Sequence, residues 1–275
     1  MEKPKVLFVQ QEITPYLKET PMGFIGRHLP QGIQEKGKEI RTFMPRYGCI
    51  NERRNQLHEV IRLSGMNLVI NNADHPLIIK VASIQSARMQ IYFIDNDDFF
   101  QRKFTLTGKT GKYFPDNDER AIFFTRGVIE TVKKLGWSPD VVHCNGWFSG
   151  LMPFFIKVAL KDNPLFSETR VVYSVYNDAF TEPLNIDLPL KMKNKDIQEQ
   201  LLAKYQDTSY LGISKAAVDY SDGIILGDEV IDPELEAYIR KSGTPVLEFQ
   251  TKETYVDAYN AFYDEILVKE SVLTE

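Results

Sequence analysis

Only two cysteines occur, Cys49 and Cys144, far apart and outside any Cys-X-X-Cys or Cys/His ligand spacing. That excludes a disulfide scaffold, gives no basis for a structural zinc site, and leads us to expect free thiols in a reducing compartment. Apolar runs long enough to span a bilayer are missing, and the N-terminus enters a strand almost at once without a signal-peptide core. The expected location is therefore the cytoplasm, with no membrane partner. Basic stretches interleaved with aromatics are also missing, and the formal net charge is −5, which argues against a nucleic-acid partner. A nucleophile elbow is absent as well: in the stretch from Gly146 to Gly150 the serine, Ser149, is out of register for Gly-X-Ser-X-Gly. What remains is globular composition, 43% hydrophobic and 26% charged over 275 residues, enough for one large or two small domains.

The patterning alternates strands and helices. Lys5 to Val9 is a short apolar run bounded by Pro4 and the polar Gln10, Gln11 and Glu12, as suits a central strand covered on both faces. Phe24, Ile25, His28, Leu29 and Ile33 then recur at helical spacing before Gly37. A second strand is predicted over Glu39–Met44. Four short strands follow (Glu59–Leu63, Asn67–Ile70, Pro76–Ala82 and Met89–Ile94), forming a β-hairpin insertion at about 55–95. Helix Asn117–Leu135 presents Ala121, Phe124, Val128 and Val132 and stops at Gly136. Strand Asp140–His143 leads into a helix carrying Leu151, Phe154, Phe155 and Val158. Strand Arg170–Val175, a polar loop Thr181–Lys195 placed to cover a cleft, helix Pro233–Ser242, strand Pro245–Phe249 and a helix from about Glu253 complete the chain. The last helix presents Val256, Tyr259, Phe262, Tyr263 and Ile266. The fold class is α/β: a Rossmann-like, mostly parallel sheet with helices on both faces. Ligands in such sheets sit beyond the carboxyl ends of the strands, so Glu12 to Gly23 are expected to line a cleft. The cluster Asp95, Asn96, Asp97 and Asp98 reads either as carboxylate ligands for Mg²⁺ or Mn²⁺ or as a solvated acidic turn.

The order Glu12, Pro15, Lys18, Leu29-Pro30 and Met44-Pro45-Arg46-Tyr47 resembles the start of the bacterial glycogen and starch synthases. Tyr92 to Asp95, His143 with Trp147, Asn177, and Lys215, Ala216, Tyr220 and Asp222 continue the resemblance. It implies the N-terminal half of a GT-B glycosyltransferase over residues 1–250, followed by a helix at 251–275 packing back on that domain. It also implies ADP-glucose as donor substrate, no metal or other cofactor, and the acidic turn rather than the metal at Asp95–Asp98. Carried onto this sequence, His143 is the candidate catalytic residue, and Lys18, Asn145, Trp147, Tyr176 and Asn177 are candidate substrate contacts.

Several positions depart from the family pattern. Lys18 is followed by Glu19, Thr20 and Pro21 where the family has Thr-Gly-Gly or Val-Gly-Gly, so a proline without an N–H and a negative charge replace a phosphate cradle. Lys18 is thus either a phosphate contact or a solvated surface lysine. Within the family segment His-X-His-Asp-Trp-His, Asn145, Gly146 and Phe148 replace the second histidine, the aspartate and the last histidine, and Tyr176 replaces a further histidine. These changes remove groups able to stabilise charge at an anomeric carbon, and His143 reads equally as a structural residue at a strand end. The second Rossmann-like domain finds no counterpart between Phe249 and Glu253. Three functions are therefore expected to compete. The first is a protein of α-glucan metabolism, inactive or weak alone, that binds glucan or a partner synthase through the old cleft. The second is a glucosyltransferase half that needs a separate donor-domain protein. The third is an interaction protein without sugar binding, its cleft filled by Pro21, Phe24 and Phe148.

Overall fold

The computed structural model describes residues 3–193 and 197–268. Residues 194 and 195 of the expected cleft loop and 269–275 of the expected C-terminal segment lie outside the described residues. The strands are β1 (Lys5–Gln10), β2 (Glu39–Pro45), β3 (His58–Glu59), β4 (Met66–Ile70), β5 (Ala73–Ile84), β6 (Met89–Asp95), β7 (Val141–Asn145), β8 (Arg170–Val175), β9 (Gly223–Leu226) and β10 (Val246–Leu247). They lie in the order β10-β9-β8-β7-β1-β2-β6-β5-β3, with β4 paired to β5. From β10 to β6 every pairing is parallel, and β5 runs antiparallel to its neighbours. The chain leaves β1 toward β2 and β6, then returns to the other side of β1 as β7, which makes the β1/β7 junction the topological switch point.

The helices are α1 (Pro21–Glu35), α2 (Asp97–Phe100), α3 (Asn117–Leu135), α4 (Met152–Phe154), α5 (Leu188–Met192), α6 (Tyr210–Asp219), α7 (Pro233–Ser242) and α8 (Tyr255–Val268). Side chains on β1 alternate between two cores. Val6 and Phe8 join Leu29 and Ile33 of α1 and Tyr259, Phe262 and Tyr263 of α8. Leu7 and Val9 join Phe124 and Val128 of α3 and Ile213 of α6 on the opposite face. Double-sided burial is why these strands read as unbroken apolar runs.

Four local expectations change. The buried stripe of α1 is made of Met22, Gly23, Gly26, Leu29, Pro30, Gly32 and Ile33, while Phe24, Ile25 and His28 are half-buried. Glycine lets the helix sit close: a Cβ at Gly26 would lie 2.3 Å from the Glu12 carbonyl oxygen. The β insertion is not a separate hairpin unit, because β6 pairs with β2 in the main sheet and the 12-residue β5 extends that sheet's edge. The helix expected after β7 is α4 continuing as a π-helical turn, Phe155–Ala159, which buries the consecutive Phe154, Phe155 and Ile156. The edge strand over 245–249 shortens to the two residues of β10.

The acidic cluster is not a solvated turn throughout. Asp95 is 1% exposed and forms ion pairs at 2.9 Å with both Arg46 Nε and Lys80 Nζ. Asn96 caps α2 by accepting from the backbone N–H groups of Asp98 and Phe99. Asp98 lies 3.1 Å from His75 Nδ1. Glu52, 3.3 Å from Arg46 Nε and 2.7 Å from Lys80 Nζ, would remain as the one, half-exposed counter-charge to both cations, and we expect Asp95→Ala to lose about 2 kcal/mol of stability in urea titrations. A loss below about 1 kcal/mol would mean the pair is effectively solvated.

Candidate functional site

At the switch point the loops after β1, β7, β8 and β9 are tied to one another by hydrogen bonds. The backbone N–H of Gln11 donates to the Asn145 carbonyl (3.3 Å), and that of Phe148 donates to Gln11 Oε1 (3.0 Å). The Trp147 N–H donates to Asp178 Oδ2 (3.0 Å), the Asn177 N–H to Asp228 Oδ2 (2.7 Å), and Tyr210 Oη to the Tyr176 carbonyl (2.9 Å). Gly146 opens the loop after β7 at φ +78°, and a Cβ there would meet Gln11 Oε1 at 2.7 Å and the Met22 methyl at 2.8 Å. Neither the backbone nor the space admits the family's aspartate at this position.

The six candidate residues do not converge. His143 is fully buried on the face beneath α8, with Nε2 2.7 Å from Ser174 Oγ and Nδ1 2.7 Å from Tyr263 Oη. Burial drives its pKa down to about 3, so the imidazole is neutral and both nitrogens are engaged by protein groups. That geometry gives it a structural role and offers it to no substrate. Trp147 is 1% exposed, its ring edge-on to Phe148 and Phe180, so its indole has no face for a sugar. Asn145 and Tyr176 are buried partners of each other, the tyrosine hydroxyl donating to Asn145 Oδ1 at 3.1 Å. Asn177 and Lys18 are exposed. Nor do the expected plugs fill the cleft: Pro21 is exposed, Phe24 stacks on His28 and Tyr255, and Phe148 is buried against Phe124 and Tyr47.

Carboxylates are what the loops bring together. Glu12 and Asp178, both half-buried, are close enough for the charge of Glu12 to raise the Asp178 pKa, and Asp228 lies beside Asn177. Burial is the main cause that lifts Asp178 to about 7; the Trp147 N–H and the Tyr210 hydroxyl oppose the shift. Glu12 is also raised, by burial, against the opposing hydrogen bond from Thr20. Beside them lies a concavity of ≈480 Å³ lined by Tyr113, Phe114, Glu182, Leu184 and Asn185. It is linked to the cleft through Phe180, whose ring contacts both Tyr113 and Trp147. Sequence reasoning passed over Asp178 because a lone aspartate after a strand carries no spacing signal.

The N-terminus of α1 is already occupied. Thr20 Oγ1 accepts from the Gly23 N–H at 2.9 Å and donates to Glu12 Oε2 at 2.6 Å, the Phe24 N–H bonds the Thr20 carbonyl, and Pro21 has no N–H. Helix N-termini hold anions through free amides; here the Glu12 carboxylate, through Thr20, takes that place. Among the described residues, no group of three or more His, Cys, Asp or Glu is arranged to hold a metal ion and no helix is long and apolar enough to cross a membrane. Cys49 is exposed, Cys144 buried, and both are free thiols.

Residues 5–239 match the family model of the starch synthase catalytic domain. The chain belongs to that family. It is 32% identical over 241 residues to a glycogen synthase of Chlorobium limicola, covering 85% of this chain and 48% of the relative. It is 31% identical over 238 residues to that of Chlorobium luteolum, covering 84% and 48%. The chain thus spans about half the length of these curated relatives. Its fold is similar to the catalytic domain of starch synthase IV from Arabidopsis thaliana, solved bound to ADP and acarbose. That likeness has a TM-score of 0.71 at 15% identity and covers 92% of this chain and 53% of that one. The fold is accordingly that of a GT-B glycosyltransferase, in the part spanned by this chain.

The raised Asp178 pKa has a thermodynamic consequence. A carboxyl held near 7 in the folded protein and near 3.8 when unfolded contributes stability below about pH 4 that is lost as pH rises through 7. His143 works in the opposite sense, losing stability below its unfolded value of 6.5 toward about 3. A comparison of Asp178→Asn with the parent isolates the first effect. The variant should gain stability relative to the parent between pH 4 and 7, measured by urea unfolding across that range; a flat difference would show that Asp178 titrates normally.

Proposed function

We propose that this starch-synthase-family protein acts in α-glucan (glycogen) metabolism as a glucan-binding component, a pseudoenzyme that transfers little or no glucose by itself. The observation that carries this reading is the character of the cleft. Its loops bring together the carboxyl groups of Glu12 and Asp178 and the carboxamide of exposed Asn177, and the neighbouring concavity is lined by the Tyr113 and Phe114 rings with Lys112, Glu182 and Asn185. Carboxylates and amides accept and donate hydrogen bonds to sugar hydroxyls, and aromatic rings bury the apolar faces of pyranoses. The charge of Glu12, joined by that of Asp178 as pH rises above about 7, disfavours a diphosphate. With Glu12 at the α1 terminus and Glu19 exposed next to Lys18, the lysine lacks supporting amides for a nucleotide sugar.

The substitutions at Asn145, Gly146, Phe148 and Tyr176 support low activity, since transition-state stabilisation needs groups aimed at developing charge, and these side chains are absent or turned into the core. The competing reading is a synthase half that acquires ADP-glucose from a donor-domain protein. It is favoured by exposed Lys18 and by the half-length match to whole synthases.

Parallel calorimetric titrations with maltoheptaose and ADP-glucose separate the two. Maltoheptaose should bind and ADP-glucose should not, and Tyr113→Ala should weaken maltoheptaose about tenfold while leaving the thermal midpoint within a few degrees. Retardation of the chain in glycogen-containing native gels should follow the same pattern. ADP-glucose binding that is lost in Lys18→Ala would instead establish the donor-requiring half.

A further inference from the structure

A second polar concavity lies at the opposite end of the sheet. It has a volume of ≈450 Å³ between the end of α1, the first residues of β2, the turn after β5 and the start of β6, and is lined by Gln34, Arg41, Ser83, Arg88, Gln90 and Tyr92 among others. The amino ends of β2 and β6 form its wall, so it is separated from the cleft by the length of the strands.

Arg41 is its most constrained group. The guanidinium carbon sits 5.1 Å from the Trp137 ring centroid and 5.9 Å from that of Tyr92, and one terminal nitrogen donates to Tyr92 Oη at 2.9 Å. Its Nε is buried without a hydrogen-bond partner, and among the described residues no carboxylate forms an ion pair with it. Glu39, the acid in the wall, is taken up by the Trp137 indole N–H, which donates to its Oε1 at 2.5 Å. A guanidinium fixed by two aromatic rings, with donors to spare, loses little freedom on binding an anion. Arg88 stands on the opposite rim, exposed, at the left-handed residue (φ +51°) that turns the chain into β6. Around the two arginines Gln34, Gln85, Gln90 and Ser83 supply neutral donors and acceptors.

We propose that this concavity binds a small hydroxyl-bearing phosphate monoester, the phosphate held between Arg41 and Arg88 and the hydroxyls by the surrounding amides. Arg41 and Arg88 outnumber the single exposed carboxylate of Glu39, which favours an anion, and the planar fork of arginine matches phosphate oxygens. The neutral rim favours a polyol phosphate over a bare ion. The site is independent of the cleft and of any glucan bound there.

The test is calorimetry on the full chain at low ionic strength with three probes: ribose 5-phosphate, ribose and inorganic phosphate. Ribose 5-phosphate should bind, inorganic phosphate more weakly and ribose not measurably. Arg88→Gln, on an exposed side chain that leaves the fold undisturbed, should weaken ribose 5-phosphate about tenfold. Arg41→Lys, which keeps the charge but loses the fork, should weaken it too, and maltoheptaose binding should be unchanged in both variants. Absence of ribose 5-phosphate binding, ribose binding as tightly as its phosphate, inorganic phosphate binding equally well, or Arg88→Gln binding like the parent would each overturn the proposal.

Discussion

The closure of α8 over the sheet is the constraint on which the rest of the molecule depends. Without it Val6, Phe8, Val141, Val172 and Ile225 would present an apolar face of the central strands to water. Each such side chain stabilises by about 1.5–3 kcal/mol when fully buried, so this face alone contributes on the order of the whole stability of a domain. The position of the helix over that face is fixed by a polar joint within the apolar layer. Tyr263 of α8 meets His143 of β7, which meets Ser174 of β8, so one helix is linked to two adjacent strands through a neutral imidazole. The carboxyl ends of those two strands carry the cleft loops. The residue first read as catalytic thus acts one layer below the site, holding the strands from which the site is built.

The architecture was legible because it rests on periodicity. The run Lys5 to Val9, the stripe of α3 with its Gly136 stop, and the aromatic face of α8 each follow from burial on a known period, and each lies where the sequence pointed. Legibility failed where the partner is distant in sequence. Asp95 gives no local hint that Arg46 and Lys80 will enclose it. The α1 stripe was misread because hydrophobicity marked Phe24 and Ile25, whereas close approach to the strand end selected glycines.

Motif residues lie apart for a related reason. A motif gives order along the chain but not the face of a strand. His143 and Asn145 are two residues apart on β7 and therefore share the face beneath α1 and α8, while Cys144 points to the α3 face. The strand continues through Asn145 rather than ending at His143, so residues expected in a loop are buried in the sheet. The loops bring Glu12 and Asp178 together instead, one residue inside the family motif and one that no motif position marks.

The distribution of charge follows from this exchange. In a sheet of parallel strands the two ends are chemically distinct surfaces, and the chain places half-buried carboxylates at one end and an aromatic-bound arginine at the other. A half-buried charge acts in a medium of lower effective dielectric than water, so its preference among ligands is expressed over the few ångströms of contact and falls off beyond about 10 Å at moderate salt. Ends separated by five residues of strand, about 16 Å, therefore select ligands almost independently. On the functions proposed above, the acidic end tolerates neutral polyols and disfavours phosphates, and the basic end attracts phosphates. A nucleotide sugar carries both chemistries in one molecule, so on the proposed reading the loss of the glycine cradle at α1 weighs more on the donor than on the glucan.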